Sequence, residues 1–397
     1  MDNLTKAQQG GLSDAEACAL LRGEGPPLAE LLQAAGELRS RHKGRAVTFS
    51  RKVFIPLTTY CRDDCGYCTF KRDPGQPGAG YLSPEQVLAI ARAGEAAGCR
   101  EALFSLGDKP ELRFEAAASE LAALGHARTT DYLAEMCHMV ARETGLLPHP
   151  NPGVMAREEM AMLRECSASM GLMLETTSAR LCGPGMPHAN APDKRPGARL
   201  ANLRFAGELA IPFTTGLLIG IGETHAERVA TLRAIAEIHA THGHVQEVIV
   251  QNFRVKPGIP MAGQPEPGLE DLLRTIAVAR LLLGGEMNIQ APPNLSPETY
   301  PRLLAAGIND WGGISPVTPD HINPEAPWPH LEELARQSAG AGHILTERLA
   351  VYPAYIAEAE RWLHPQMRPR VLSLAGAGGL AHPHNPPPPE PHAARTA

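Results

Sequence analysis

Eight short apolar runs, separated by stretches of helical periodicity, constrain this chain more than any other feature. They are VFIPLTT (53–59), EALFSLG (101–107), LLPHPNPG (146–153), MGLMLETT (170–177), FTTGLLIG (213–220), EVIVQNFR (247–254), MNIQAPPN (287–294) and WGGISP (311–316). Between them fall patterns such as SPEQVLAIARAGEAAG, TDYLAEMCHMVARETG, HAERVATLRAIAEIHATHG and LEDLLRTIAVARLLLGG. Strand-like runs alternating with amphipathic helices predict repeated βα units around a parallel sheet. The class is α/β: a TIM-type (β/α)8 barrel, or an open (β/α)6 core with two further units. Ahead of the first run, Ser13 followed by Glu16 opens SDAEACALLRG as a capping box, and LAELLQAAGELRSRHKG continues the helical pattern. The expected organisation is a small N-terminal helical cap (1–45), a barrel with a C-terminal extension (46–365) and a low-complexity, proline-rich tail (366–397) ending in HPHNPPPPEPHAARTA.

Barrel enzymes carry their chemistry at the C-terminal ends of the strands. The polar or glycine-rich positions there are Gly107 with Asp108, Asn151, Glu175 with Thr176 and Thr177, Gly220 to Glu223, Gln251 with Asn252, Asn294, and Asp310 to Asp320. All are expected to face one mouth.

The first run leads directly into TYCRDDCGYCTF (59–70), with Cys61, Cys65 and Cys68 inside twelve residues. A structural zinc site closes its tetrahedron with four protein ligands, and no other two cysteines lie close enough in sequence to supply a second pair. An ion or cluster on these three thiolates keeps a coordination position open, as catalysis requires. The formal charge of −6 gives no basic field, which disfavours nucleic acid and anionic membrane as primary partners and favours a small molecule. The N-terminus lacks the apolar core of a secretory signal, and the longest apolar run, around GLLIGIG, is far short of a membrane span, so a cytoplasmic location is expected. In a reducing compartment a tight cysteine group points to metal, cluster or redox chemistry. Cys99, Cys137 and Cys166, each in an apolar context, read as small buried hydrophobes.

The spacing C-x3-C-x2-C, with Tyr67 before the last cysteine, resembles the radical S-adenosylmethionine (SAM) superfamily. The resemblance implies that Cys61, Cys65 and Cys68 hold three irons of a 4Fe-4S cluster while SAM chelates the fourth. It further implies that Tyr67 lies against the adenine and that the SLGD turn, with Gly107 and Asp108, meets the SAM amino group. That turn departs from the family's usual two glycines and glutamate. Glu175 would accept from ribose hydroxyls, and GLLIGIGE, with Gly220 and Gly222, would approach the adenine; ETTS equally suits a helix N-terminus.

Longer strings narrow the resemblance. SRKVFIPLTTYCRDDCGYCTF, LLPHPNPGVM, MGLMLETTS, PFTTGLLIGIGET, EVIVQNFRVKP, QAPPNLSP and DWGGISPVTPDHINPEAPWP are similar to the cyclising-subunit (CofG-type) family of 7,8-didemethyl-8-hydroxy-5-deazariboflavin (FO) synthases, from about residue 45 to about 355. This implies a lyase that closes the deazaflavin ring of a 4-hydroxybenzyl-uracil adduct and releases ammonia. The implied partners are a sister radical SAM subunit (CofH type), docked or acting by diffusion, and an electron donor such as flavodoxin or ferredoxin. A substrate that is a ribityl-bearing uracil needs amide and carboxylate partners, for which Gln251, Asn252, Asn294 and Asp310 are candidates. Asp320 and His321 are candidates for proton transfer, with His149 a further one. Each also suits a turn, cap or structural role. The competing readings are a menaquinone-pathway or biotin-synthase-like radical SAM enzyme, and a non-enzymatic zinc-stabilised binding module. Sulfur insertion draws on an auxiliary cluster, and no clustered cysteines follow Cys182.

Overall fold

The computed structural model describes residues 3–383. Its strands are β1 (Ala46–Pro56), β2 (Glu101–Ser105), β3 (Leu147–Asn151), β4 (Met170–Gly171), β5 (Phe213–Ile219), β6 (Val245–Asn252), β7 (Ile289–Gln290), β8 (Asp310–Ile314) and β9 (Ile344–Arg348). They pair in the order β3-β2-β1-β8-β7-β6-β5-β4, every ladder parallel. Because β8 returns to β1, the sheet is an eight-stranded barrel, closed except between β3 and β4. The eight expected strands and the barrel are all present.

The open seam has a cause in the sequence. Leu147 N donates to Arg100 O, so odd-numbered amides of β3 face β2 and the even positions face β4. Those even positions are Pro148 and Pro150, which have no N–H to give. What joins the two strands there is a bond in the other direction, from Ala168 N to Pro148 O (3.0 Å).

Side chains alternate about the barrel wall, as a two-residue period demands. Outward positions such as Val53, Ile55, Ala102, Phe104, Val248 and Val250 are buried under the surrounding helices. Inward positions such as Lys52, Glu101, His149, Glu247 and Gln251 line a central cavity.

The helices α1 (Asn3–Gln8), α2 (Asp14–Arg22) and α3 (Leu28–Lys43) form the N-terminal cap. The capping box is realised: Ser13 Oγ accepts from Glu16 N at 3.3 Å, and Ser13 N donates to Glu16 Oε2 at 2.8 Å. Leu31, Ala34, Ala35 and Leu38 pack against Ala277, Val278 and Leu281 of the helix Leu269–Leu283. At the other end, Arg368–Leu374, placed in the tail from sequence, is a helix whose Val371 is buried beside Trp362 and Leu363. The prolines beyond residue 383 lie outside the described residues.

Two features differ from the sequence reading. Strand β1 starts at Ala46, seven residues early, and β9 was not foreseen. They are linked: β9 runs along Ala46–Ser50, while β2 takes Lys52–Pro56 further up the same strand. The segment ILTER gives no apolar run because only Arg348 in it is buried. Among the described residues no helix is long and apolar enough to cross a membrane. Cys99, Cys137 and Cys166 are buried.

Candidate active site

The barrel encloses a cavity of ≈ 340 Å³. Cys61, Cys65 and Cys68 line its mouth, and Lys52, Glu101, His149, Glu247, Gln290 and Arg348, lower on their strands, line its floor.

The cysteine loop is held by neighbouring segments through its backbone. Asp64 N and Gly66 N donate to Asn190 O (3.0 Å) and Pro187 O (2.8 Å), and Met261 N donates to Gly66 O (3.0 Å). On the β2 side, Gly107 N donates to Thr58 O (3.1 Å) and Arg62 N to Asp108 O (2.8 Å). Gly107 is required for this approach, since a Cβ there would overlap the carbonyl oxygen of Tyr60. The packing aims the Asp108 amide at the Cys61 sulfur, N to Sγ 3.2 Å.

This donor set fits an iron-sulfur cluster better than a single ion. Burial pushes the Cys61 thiol up to about 12 and raises Cys65 as well, so thiolates there need a bound cation to offset desolvation. A tetrahedral zinc with Zn–S near 2.3 Å requires sulfurs about 3.8 Å apart. Among the described residues, the cysteines do not form a set of three ligand atoms within 4.8 Å of one another; Asp63, Asp108 and Asp193 do.

Beside the cysteines, Glu175 is the centre of a buried charge network. It receives hydrogen bonds from the Tyr67 hydroxyl and from Lys194 Nζ, with His188 Nε2 at 3.3 Å and an Arg199 nitrogen at 4.0 Å. Tyr67 Oη also meets His188 Nε2 at 2.9 Å, and Lys194 stands 5.8 Å from the Tyr67 ring centre. Burial alone would raise the Glu175 carboxyl, but Lys194, His188 and Arg199 hold it well below the usual range. Glu175 adopts φ +64°, a left-handed conformation costly for a side chain of this size, and is fixed there by Glu175 N to Gly216 O (2.8 Å) and Leu218 N to Glu175 O (3.1 Å).

Asp108 sits in the three-carboxylate group. Its Oδ2 accepts from Val154 N (2.9 Å) against Gly153, where any Cβ would collide with that carboxylate, and its Oδ1 has no partner. Burial first, then Asp193 and Asp63, raise Asp108 to about 7. Asp193 N donates to Asp63 Oδ1 at 3.0 Å, and Arg62 lies 3.4 Å from Asp193.

The remaining sequence candidates divide. Gln251, Asn252 and Asp320 line the cavity; Asn294 and His321 do not. Both oxygens of Asp320 are filled, by Ile322 N, Asn323 N, Asn294 Nδ2 and Asn323 Nδ2 at 2.9–3.1 Å, so it organises the turn after β8. Gly220 and Gly222 have φ of +88° and +102° and shape the turn after β5 without lining the cavity; Gly220 N and Ile221 N donate to Glu223.

Asp310 was expected at the mouth and is elsewhere. It begins β8, at the opposite end of the barrel, fully buried and paired with Arg348 Nε (2.6 Å). The expectation failed because Asp310 was grouped with the residues that follow the run WGGISP, whereas it precedes that run and so opens the strand at the end away from the mouth. Sequence reasoning also missed Lys194, Arg199 and His188, which lie in a segment with no strand-end signature, and the floor residues Lys52, Glu101, Glu247, Gln290 and Arg348. The period-two register of β1, β2 and β6 would have found Lys52, Glu101 and Glu247 as inward charges; nothing in the sequence linked Arg348 to them.

A parallel barrel with three cysteines in a C-x3-C-x2-C loop at its mouth defines a radical SAM enzyme, and residues 55–235 match the radical SAM superfamily. The chain is 51% identical over 335 residues to 7,8-didemethyl-8-hydroxy-5-deazariboflavin synthase of Methanopyrus kandleri, covering 84% of this chain and 99% of that one. It is 50% identical over 388 residues to FO synthase of Mycobacterium tuberculosis, covering 94% of this chain and 45% of that one. The chain belongs to the FO synthase family of radical SAM enzymes, with a 4Fe-4S cluster and SAM as cofactors. It spans nearly the whole Methanopyrus relative but about half the length of the mycobacterial one. In fold it is similar to the [FeFe]-hydrogenase maturase HydG (TM-score 0.71, 17% identity, 94% of this chain and 79% of that one). Methylornithine synthase PylB is also similar (TM-score 0.67, 22% identity, 87% and 97%).

Proposed function

We propose that this chain performs the ring-closing half of FO formation. The substrate is 5-amino-5-(4-hydroxybenzyl)-6-(D-ribitylimino)uracil, the third ring of the deazaflavin forms, and ammonia leaves, which makes the enzyme a carbon-nitrogen lyase. The observation that carries this reading is the 51% identity across 99% of the Methanopyrus synthase, joined to a cysteine triad opening onto the barrel cavity.

When bound, the cluster and SAM supply a hydrogen-abstracting 5'-deoxyadenosyl radical. Cys61, Cys65 and Cys68 would hold the cluster, with the Asp108 amide directed at the Cys61 sulfur. A hydrogen bond to a ligating sulfur is one of the means by which a protein sets a cluster's potential. Around SAM, the ionised Glu175 would accept from ribose hydroxyls and Tyr67 would flank the adenine. The carboxylates of Asp63, Asp108 and Asp193, with Gly107 in the same turn, would face the ammonium group. Gly220 and Gly222 would act at the adenine side indirectly, by shaping the turn after β5. Gln251 and Asn252 offer amides to the uracil edge. Asp320 lines the cavity, but with both oxygens taken by N–H donors it would act by fixing the turn after β8 together with Asn294.

A sister radical SAM enzyme would supply the adduct, docked or by diffusion, and flavodoxin or ferredoxin would supply the electron. The test is anaerobic: the reconstituted enzyme with SAM, reductant and adduct should yield 5'-deoxyadenosine and fluorescent FO together. Deoxyadenosine without FO would overturn the substrate assignment.

A further inference from the structure

The cavity floor is built from charges where a barrel of this kind ordinarily packs branched apolar side chains. Lys52 pairs with Glu101 (3.2 Å), which also accepts from the Ser50 hydroxyl; Arg348 pairs with Glu247 (3.2 Å) and with Asp310. Burying such pairs gains little stability over apolar residues of equal volume. Their presence at the closed end of a ligand cavity points to a polar ligand.

His149 fixes which kind. The hydroxyl of Ser169 has one hydrogen, and it is donated to Ala350 O at 2.7 Å. The same oxygen lies 2.7 Å from His149 Nδ1, so in that contact Nδ1 carries the hydrogen and donates. The other ring nitrogen, Nε2, then presents a lone pair. Among the described residues Nε2 has no hydrogen-bond partner, and the wall opposite it is Gly171, where a Cβ would come within 3.1 Å of Nε2. Both residues line the cavity. Burial foremost, aided by Lys52 and Arg348 and opposed by Glu101, lowers His149 to about 4, so the ring stays neutral and Nε2 stays an acceptor at neutral pH.

We infer that the barrel floor is the subsite for the substrate's polyhydroxylated side chain, with His149 Nε2 accepting a hydrogen bond from a chain hydroxyl across the gap left by Gly171. The inference rests on the ring-closing reading above, which places the reacting rings near the cysteine mouth and leaves the D-ribityl chain to extend downward. Glu101 offers further acceptors, Lys52 and Arg348 offer donors, and a linear polyol is a ligand whose every hydroxyl can use both.

The test compares the ribityl adduct with an analogue carrying methyl in place of the ribityl group. Equilibrium dialysis gives their affinities for the cluster-loaded enzyme, and steady-state assays give kcat and KM. His149→Phe should weaken the ribityl adduct about tenfold, the loss expected for one buried hydrogen bond, while leaving the methyl analogue unchanged. His149→Gln, which keeps a polar group, should recover part of the difference. Gly171→Ala provides a second variant that retains His149 and crowds Nε2, and it should show the same selective loss. Equal weakening of both ligands, or a ribityl preference unchanged in both His149→Phe and Gly171→Ala, overturns the floor assignment while FO formation by the unaltered enzyme still stands. If the unaltered enzyme with an intact cluster makes no FO, the ring-closing reading falls and this inference falls with it.

Discussion

The mouth and the floor of one cavity are built in opposite ways. The mouth is made of loops: three cysteines in one loop, a glycine that admits it against the β2 turn, and backbone amides that fix its path. The floor is made of inward residues on strands, whose charges pair with partners far along the chain, as Lys52 does with Glu101 and Glu247 with Arg348. A mouth is therefore easy to change in chemistry without disturbing the fold, whereas a floor is part of what holds the barrel together.

That contrast can be broken by mutation. Cys65→Ala should abolish cluster assembly and SAM cleavage completely while circular dichroism and the urea midpoint stay close to the parent values; retained 5'-deoxyadenosine formation would show the triad is not the cluster site. Gly107→Ala should come next, because its methyl group meets the Tyr60 carbonyl and displaces the cysteine loop. Iron content after reconstitution should fall several-fold, with a smaller loss of stability.

On the floor the order reverses. Arg348→Met leaves Asp310 and Glu247 buried without their cation and should cost about 3–5 kcal/mol in urea unfolding. A loss below about 1 kcal/mol would mean that the floor charges do not brace the barrel.

Much of the mouth was legible because its constraints are local. C-x3-C-x2-C, SLGD and ETTS each state in a few residues where the chain turns and what it presents. The floor was not, because its meaning lies in register and in long-range pairing. Lys52 falls just outside the first apolar run and gains a strand register only once β1 is known to begin at Ala46, and Arg348 has no role until β9 places it under the barrel. Asp310 was legible as the residue that opens the run WGGISP, but its pairing was not, its partner being 38 residues away on a strand the sequence did not announce. His188 and Lys194 escaped because the loop carrying them owes its path to Asp63, Gly66 and Glu175, and Arg199 because it sits on the helix Pro196–Glu208 that follows that loop.

The smallest predicted effect sharpens the floor account through pH. His149 titrates near 4 in the folded protein against an ordinary value of 6.5, so the unfolded chain binds the extra proton between those values. The stability this contributes is present above pH 6.5 and is lost as the pH falls toward 4. From pH 7 to pH 5 the loss should be about 2 kcal/mol, and urea unfolding of His149→Phe should show correspondingly less of it. An identical pH dependence in the variant would mean that His149 is not held neutral.

The central claim is ring closure with loss of ammonia, and its most direct test is a single turnover with adduct carrying ¹⁵N at the 5-amino position. The account predicts labelled ammonia, FO and 5'-deoxyadenosine in equal amounts. Deoxyadenosine formed without labelled ammonia, by enzyme with an intact cluster, would contradict it.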